Sequence, residues 1–302
     1  MGFSGQTFPS LQYGNRFRDT KVTSDIPVKV VQNSAYEYRV LRFKFARLAW
    51  EIPARELTWQ DKETLLAFYN EMGGTFSSFL YTDPEHNSVT NQVLGVGTQI
   101  SAPATPTLST ISGGTLVAAT YYYGVTAYNA QGETILSTVA SITTSTTGSI
   151  FVNWSAVSGA SGYRVYGRVS TGHYLLADVG TALTYTDTGA ALQGVAAPTT
   201  NTTGTTNYPL LITVAGILHP IFHAGALGLT PTGYTVEVIN GTPTLVYPVE
   251  SCPAYGTSVV ANGAYQLCAR FDSMAAYALR NAVNPSLASA GMDKIRLIEV
   301  FE

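Results

Sequence analysis

Apolar residues recur at helical spacing in one stretch of the chain, residues 58–73. The apolar stripe consists of Leu65, Leu66, Phe68, Tyr69 and Met72. This spacing is typical of the buried face of an amphipathic helix. Thr58 followed by Asp61 fits a capping box at the start, and Gly73 with Gly74 suits the left-handed end of a helix. The pattern therefore predicts one helix that packs through this stripe.

Alternating apolar and polar residues predict strands on both sides of the helix. The basic and aromatic run of residues 36–52 precedes it, and residues 75–81 follow it before a polar loop at residues 83–97. Residues 233–247 are predicted to form a hairpin that turns at Asn240-Gly241, a pair that favours a tight turn with positive φ. Further strands are predicted at residues 208–221, 259–271 and 294–301, and a weaker helix at residues 273–281.

The composition changes between residues 98 and 204, which are rich in Thr, Ser, Gly, Val and Tyr. Charged residues between Pro103 and Thr200 are limited to Glu133, Arg164, Arg168, Asp178 and Asp187. Short apolar runs and turns alternate at the spacing of a β-sandwich, with Trp154 as its core tryptophan. The predicted strands are residues 120–128, 134–138, 149–154, 162–169, 173–179 and 184–186. The proline- and threonine-rich joints at both ends look like linkers.

These patterns divide the chain into two predicted units. Residues 1–100 plus 205–302 form a discontinuous β-sandwich-like domain with one packed helix. Residues 101–204, called the insert below, form an immunoglobulin-like β-sandwich that interrupts it. The predicted fold class is therefore mainly β.

Charge is scarce along the 302-residue chain. Only 12% of residues are charged, against about 25% in an average domain, and the net charge is −3. The low share of charged residues suits a β-rich protein that is part of a large assembly. The small net charge creates no strong electrostatic field that would attract nucleic acid or anionic lipid. The basic end that holds Arg16, Arg18, Lys21 and Lys29 is interpreted as a solvated or subunit-facing arm. No signal peptide and no 18-residue apolar run is found, so we expect synthesis in a cytoplasm and no membrane insertion.

Two groups of residues could bind a metal, but a structural role is favoured for each. Asp83-Pro84-Glu85-His86 places two carboxylates beside a histidine, yet neighbours joined through proline rarely converge on one ion, so a hydrogen-bonded turn is expected. His219 and His223 are four residues apart, a spacing that serves zinc on a helix. Pro220 lies between them in an extended context, so no metal is predicted there either.

No catalytic motif is present in the sequence. The four histidines, which include His86 and His173, accompany no Gly-x-Ser-x-Gly or His-Glu-x-x-His pattern, and a nucleophile needs a base and an orienting group nearby. We therefore predict no enzyme, no catalytic residue and no cofactor. Cys252 and Cys268 could face each other across a hairpin, but two free thiols are favoured over a disulfide.

Tyrosines in the insert are the candidate binding residues. Tyr121, Tyr122, Tyr123 and Tyr128 could together form a weak surface-binding face compatible with a sugar. The alternative, which is favoured, is that alternating tyrosines fill the sandwich core and its edges.

The insert resembles the fibronectin type III-like domains of phage and bacterial surface proteins. The resemblance rests on residues 120–134, on Val152-Asn153-Trp154 and on residues 159–166. In the ordinary pattern the tryptophan strand precedes the tyrosine-rich strand. Here that order is reversed, so a permuted topology is expected.

The remainder of the chain resembles the distal tail protein family of long-tailed bacteriophages and gene-transfer particles. Matching pieces are residues 66–74, Phe79-Leu80-Tyr81-Thr82-Asp83-Pro84, residues 87–97, Gly233-Tyr234-Thr235-Val236, Ala269-Arg270-Phe271-Asp272 and residues 295–300. Together they cover most of the chain outside the insert, although the resemblance fails at residues 209–232.

The resemblance implies a structural virion protein without catalytic activity. Such a protein forms a closed ring, usually a hexamer, at the distal end of the phage tail, where it joins the tail tube to the hub or baseplate. The expected partners are other copies of the chain, the tail tube protein and the hub proteins. The alternative function is a receptor-binding or adhesin tail protein whose insert binds a host cell-surface glycan.

Overall fold

The computed structural model describes residues 2–11, 28–33, 36–41, 45, 47–53, 57–214, 216–223, 226–272 and 294–301. Within these residues it has 22 strands and one α-helix, so the prediction of a mainly β fold is confirmed. The weaker helix predicted at residues 273–281 lies outside the described residues, as do Arg16, Arg18 and Lys21.

The elements follow one another along the chain in this order. Before the insert they are β1 (Phe3–Thr7), β2 (Val28–Asn33), β3 (Tyr36–Leu41), β4 (Ala49–Pro53), α1 (Trp59–Glu71), β5 (Ser78–Tyr81) and β6 (Ser88–Val96). The insert contains β7 (Thr107–Leu116), β8 (Thr120–Tyr128), β9 (Ala140–Thr143), β10 (Gly148–Asn153), β11 (Gly162–Arg168), β12 (Tyr174–Gly180) and β13 (Thr184–Asp187). After it come β14 (Asn207–Pro209), β15 (Leu211–Val214), β16 (Ile217–Pro220), β17 (Gly228–Thr230), β18 (Thr235–Ile239), β19 (Thr242–Val246), β20 (Ser258–Ala264), β21 (Leu267–Phe271) and β22 (Lys294–Glu299).

Helix α1 has the termini that its sequence predicts. The Thr58 hydroxyl accepts from the Asp61 N–H at 3.1 Å, and the Asp61 carboxylate accepts from the Thr58 N–H at 3.3 Å, which completes the capping box. Gly73 and Gly74 follow with φ of +65° and +73°. At these angles a residue with a Cβ would be strained, so glycine ends the helix.

The first hydrophobic core joins the two stretches of chain that flank the insert. Its buried side chains come from residues 11–81 and from residues 208–297. Helix α1 lies on a five-stranded sheet of order β1-β5-β21-β22-β4, where the Phe68 ring is 5.0 Å from Phe79 and 6.1 Å from Phe271. We call the elements that surround this core the body.

Three smaller sheets complete the body, in the orders β17-β20-β6, β14-β19-β18 and β15-β16. The hairpin of β18 and β19 turns at Asn240 and Gly241, whose φ values are +50° and +72°, as the sequence predicts.

The prediction of a polar loop at residues 83–97 is wrong in part, because residues 88–96 form strand β6. This strand pairs with β20 through its backbone and keeps most of its side chains at least partly exposed, so it shows little apolar alternation.

The second hydrophobic core lies within the insert. A three-stranded sheet, β13-β10-β7, and a four-stranded sheet, β12-β11-β8-β9, share this core. Trp154 is 5% exposed and belongs to it, as predicted. Strands β7 and β9 were not predicted. Residues 134–138 lie along β8 through isolated backbone hydrogen bonds without forming the regular strand expected there.

Candidate functional site

The four candidate tyrosines lie on two different faces of β8. Tyr121 and Tyr123 point into the second core and are 9% and 0% exposed, whereas Tyr122 and Tyr128 lie on the opposite face and are partly exposed. Side chains alternate between the faces of a strand, so residues of odd and even number separate. The four residues therefore do not form one surface-binding face.

Tyr128 instead belongs to a charged network on the outer face of the four-stranded sheet. Its hydroxyl donates to Asp178 Oδ1 at 3.1 Å, and Arg164 Nε donates to Asp178 Oδ2 at 3.0 Å. The Arg164 guanidinium carbon lies 4.9 Å from the centroid of the Tyr128 ring, in cation–π geometry. The guanidinium therefore occupies the ring face on which a sugar would stack.

Glu133 completes this network from the turn that follows β8. Its carboxylate accepts from Arg164 Nη1 at 2.5 Å, from the Tyr166 hydroxyl at 2.8 Å and from the Thr126 hydroxyl at 2.5 Å. Burial and the bond to Glu133 raise the pKa of Tyr166. Burial alone would lower the pKa of Arg164, but its hydrogen bonds to the two carboxylates raise it overall. Both shifts lead away from neutral pH, so neither group is prepared for general acid–base catalysis.

A second ionic cluster joins the two sheets of the insert. Asp187 of β13 accepts from Arg168 Nε at 2.6 Å and Nη2 at 2.5 Å, and from the Tyr123 hydroxyl at 2.7 Å. Burial raises the pKa of Asp187, but the bonds from Arg168, the Gly189 N–H and Tyr123 outweigh it, and the pKa is lowered overall. The two clusters together engage all five charged residues between Pro103 and Thr200. The insert therefore carries no unpaired charge in this range.

The two joints of the insert lie side by side and are hydrogen-bonded to each other. The Thr98 and Thr205 hydroxyl oxygens are 2.9 Å apart, and the Ile100 N–H donates to the Thr203 hydroxyl at 3.0 Å. Asn201 Nδ2 donates to the Ile100 carbonyl at 2.8 Å. Threonine and asparagine side chains thus satisfy the backbone here. The joints that look like linkers in the sequence are fixed to one another in the structure.

Asn129 fastens both joints to the insert. Its Nδ2 donates to the Thr98 carbonyl and to the Thr203 carbonyl, each at 3.0 Å. Its Oδ1 accepts from the N–H groups of Gln131 at 3.0 Å and Gly132 at 3.2 Å, which closes the turn after β8. One side chain therefore connects the two crossing points of the chain to the tyrosine-rich strand. The sequence gives no sign of these contacts with the joints.

The body meets the joints through residues 252–257. Gln99 N–H donates to the Pro253 carbonyl at 3.3 Å, and the Gln99 carbonyl accepts from the Tyr255 N–H at 2.8 Å. A Cβ added at Gly204 would collide with the side chain of Cys252, so the second joint also packs closely here. These contacts continue the hydrogen bonding from the body into the insert, and we call residues 98–100, 129, 201–205 and 252–257 the junction.

Asp83 organises the turn predicted around it. Its Oδ1 accepts from the N–H groups of Glu85 at 2.8 Å and His86 at 3.2 Å, and its Oδ2 accepts from Trp50 Nε1 at 2.8 Å. The hydrogen-bonded turn is therefore confirmed. Its carboxylate is buried and uses both oxygens to hold the backbone and a core tryptophan.

His219 and His223 contact different parts of the body. Buried His219 has Nδ1 3.2 Å from Oε2 of buried Glu299, an oxygen that also accepts from the Leu48 N–H at 2.8 Å. His223 stacks on Phe3 with a centroid distance of 4.1 Å. In the described part of the chain, no three His, Cys, Asp or Glu residues are grouped to hold a metal.

Cys252 and Cys268 are buried and form no disulfide bond, as the sequence favours. Burial, with a contribution from Glu250, raises the pKa of the Cys252 thiol. A raised pKa disfavours the nucleophilic thiolate, so this cysteine has a packing role in the junction.

Comparison with known proteins gives no relative. No family model, no curated protein and no solved structure matches the chain. Helix α1 is the α-helix in the part of the chain that the structure describes, and its 13 residues are too few to cross a membrane.

Proposed function

We propose that this chain is a structural protein of a phage tail, which forms a ring at the distal end of the tail tube. The observation that supports this most is the composition of the first core. The segments that resemble the distal tail family, residues 36–97 and 233–301, lie far apart in sequence but contribute to one core around helix α1. If the resemblance were a coincidence, there would be no reason to expect these two segments to pack into the same hydrophobic core.

In this proposal the body is the tail-ring domain and the insert is a fibronectin type III-like sandwich on the outer rim. Strand β10, which ends directly before Trp154, lies in one sheet and follows tyrosine-rich β8 of the other sheet along the chain. This order fits the permuted topology expected from the sequence. Loop positions tolerate insertions, and the insert leaves the body between β6 and β14.

The proposed ring, a hexamer in the family, closes through heterologous contacts in which two different surfaces of the chain meet. One face of the ring contacts the tail tube protein and the other contacts the hub or baseplate. The protein is thus a virion component that assembles in the host cytoplasm, without catalytic activity.

Negative-stain microscopy and native mass measurement of the purified chain test the ring. We expect closed rings with a single mass that is a multiple of the chain mass of 32.2 kDa. The isolated insert, residues 101–204, is the control and should stay monomeric. A clean monomer of the full chain at high protein concentration would contradict the proposal.

A second role, binding of a host-surface glycan by the insert, is favoured by one observation. The charges between Pro103 and Thr200 are all paired internally, while Tyr122 and Tyr174 keep part of their rings exposed. A surface without free charge suits a neutral glycan. The test compares the full chain with Tyr122→Ala and Tyr174→Ala variants on a glycan array and on host cells, and Thr120→Ala is a surface control. Absence of binding by the full chain would exclude this role.

A further inference from the structure

The two joints of the insert would by themselves form a pivot. The hydroxyl oxygens of Thr98 in the first joint and Thr205 in the second are 2.9 Å apart, so the chain enters and leaves the insert at nearly one point. Relative motion is the usual behaviour of two units that share a small interface. A fixed angle between the insert and the body therefore needs a further contact, made by residues outside both joints.

Tyr255 can make such a contact because its backbone is anchored to the first joint. Its N–H donates to the Gln99 carbonyl at 2.8 Å, and the N–H of the next residue, Gly256, donates to the Gly97 carbonyl at 3.0 Å. The Gly97 N–H in turn donates to the Thr257 carbonyl at 2.7 Å. These bonds hold the backbone around Tyr255 in place, so the body sets the position from which its ring projects.

The ring of Tyr255 lies against the insert at Gly159, in the loop between β10 and β11. A Cβ added at Gly159 would be 2.5 Å from Cδ2 and 2.6 Å from Cε2 of the ring, much closer than nonbonded carbon atoms pack. Gly159 also has a φ of +84°, at which a residue with a Cβ would be strained. Space and backbone angle thus both require glycine here, and the ring packs directly on the backbone of the loop.

The loop that carries Gly159 is tied to the second core. The Ala160 N–H donates to the Val157 carbonyl at 3.2 Å, and the Val157 N–H donates to the Tyr163 hydroxyl at 2.7 Å. Tyr163 is buried in that core, with its ring centroid 5.9 Å from that of Trp154. A contact at Gly159 therefore restrains the insert as a whole and not only the loop.

We propose that the ring of Tyr255 fixes the angle between the insert and the body. Rotation of the insert towards the ring is blocked by the backbone at Gly159, and rotation away from it loses the packing of the ring. The contact lies within one chain, so this inference is independent of the proposed ring of copies. A partner bound by the insert would then be held in one direction relative to the body.

Electron spin resonance distance measurements on the full chain test this proposal. Noncanonical amino acids that carry spin labels replace exposed Glu63 of α1 and exposed Thr146 of the insert, which leaves Cys252 and Cys268 in place. A large excess of unlabelled chain removes the distances between copies. The unmodified chain should give one narrow distribution of the distance between the two labels.

Two substitutions of Tyr255 separate the ring from its hydroxyl group. Tyr255→Ala removes the contact and should at least about double the width of the distance distribution, because the joints alone then connect the two units. Tyr255→Phe keeps the ring and should leave the distribution unchanged. Circular dichroism verifies that each variant is folded.

Gly159→Ala tests the same contact from the side of the insert. Its Cβ would collide with the ring, so the mean distance should be displaced. The matched control is Gly113→Ala, which places a Cβ at a similar φ of +90° with no atom within 4 Å, and it should leave the mean distance unchanged. Gly159→Ala combined with Tyr255→Ala should behave like Tyr255→Ala alone, because the two side chains act through one contact.

The proposal is overturned if Tyr255→Ala gives the same distribution as the unmodified chain, or if Gly113→Ala displaces the mean distance as much as Gly159→Ala does. Neither result would affect the proposed function, which depends on the formation of rings. Conversely, a monomeric chain whose distribution broadens on Tyr255→Ala would contradict the ring and support the role of Tyr255.

Discussion

The Asn129→Ala substitution tests whether the junction holds the insert to the body. It removes two hydrogen bonds from Nδ2 to the Thr98 and Thr203 carbonyls, and two more to Oδ1 within the turn after β8. The two carbonyl bonds are partly buried, and each contributes about 0.5–1.5 kcal/mol net. Of the two bonds to Oδ1, the one from the Gln131 N–H is exposed, where water can replace it, and the one from the Gly132 N–H lies within the turn and does not hold the joints. We therefore expect a local loss of about 1–3 kcal/mol.

Hydrogen exchange of junction amides measures this loss directly. The Ile100 N–H donates to the Thr203 hydroxyl, and the Thr205 N–H donates to the Thr98 hydroxyl at 2.7 Å. Both bonds break when the joints separate. A loss of 1–3 kcal/mol should accelerate their exchange by about 5- to 150-fold, while amides of the two cores change little.

Asn153→Ala is the matched control, since it removes an exposed asparagine side chain of the insert far from the joints in sequence. Equal protection of Ile100 and Thr205 in the Asn129→Ala variant and the unmodified chain would refute the reasoning. An equal acceleration in both variants would refute it as well, since the effect would then not depend on the junction.

Two further substitutions test the buried carboxylates. Asp187→Asn leaves Arg168 without its anion between the two sheets, so thermal unfolding of the isolated insert should show a loss of about 3 kcal/mol, with Asp178→Asn as an exposed control. The pKa of Asp187 is lowered on folding, so its contribution is present above the unfolded value of about 3.9 and is lost as pH falls through the folded value. The unmodified insert should therefore lose stability more steeply than the variant below about pH 4. Asp83→Ala should destabilise the full chain by about 2–4 kcal/mol in chemical unfolding, because the buried Trp50 N–H and two turn amides lose their acceptor, whereas exposed Glu85→Ala should change little. Equal effects of a substitution and its control would contradict either explanation.

Features that depend on neighbouring residues could be predicted from the sequence. The capping box at Thr58, the glycines after the helix and the Asn240-Gly241 turn are each fixed by local backbone chemistry, and all are present. Strand β6 was missed because its partner, β20, lies more than 150 residues away. Pairing through the backbone stabilises such a strand without requiring apolar side chains.

In the candidate site, too, local patterns could be predicted from the sequence but contacts between distant residues could not. Alternation along β8 separates Tyr121 and Tyr123 from Tyr122 and Tyr128, a division that the sequence already contains. Contacts across the fold are different. The amide of Asn129 reaches two carbonyls that are far apart in sequence, and Glu299 lies beside His219 from another strand. Such pairs follow from the topology and leave no local pattern.

The adjacency of Thr98 and Thr205 has a consequence for how the chain can change. The two hydroxyl oxygens are 2.9 Å apart, so the whole insert begins and ends at nearly one point of the body. For the body, the insert is equivalent to a loop whose closure entropy depends only weakly on its length. A short turn or a foreign domain with neighbouring termini could therefore replace it at similar loop entropy. The junction is thus a site of the body at which one inserted domain can be exchanged for another.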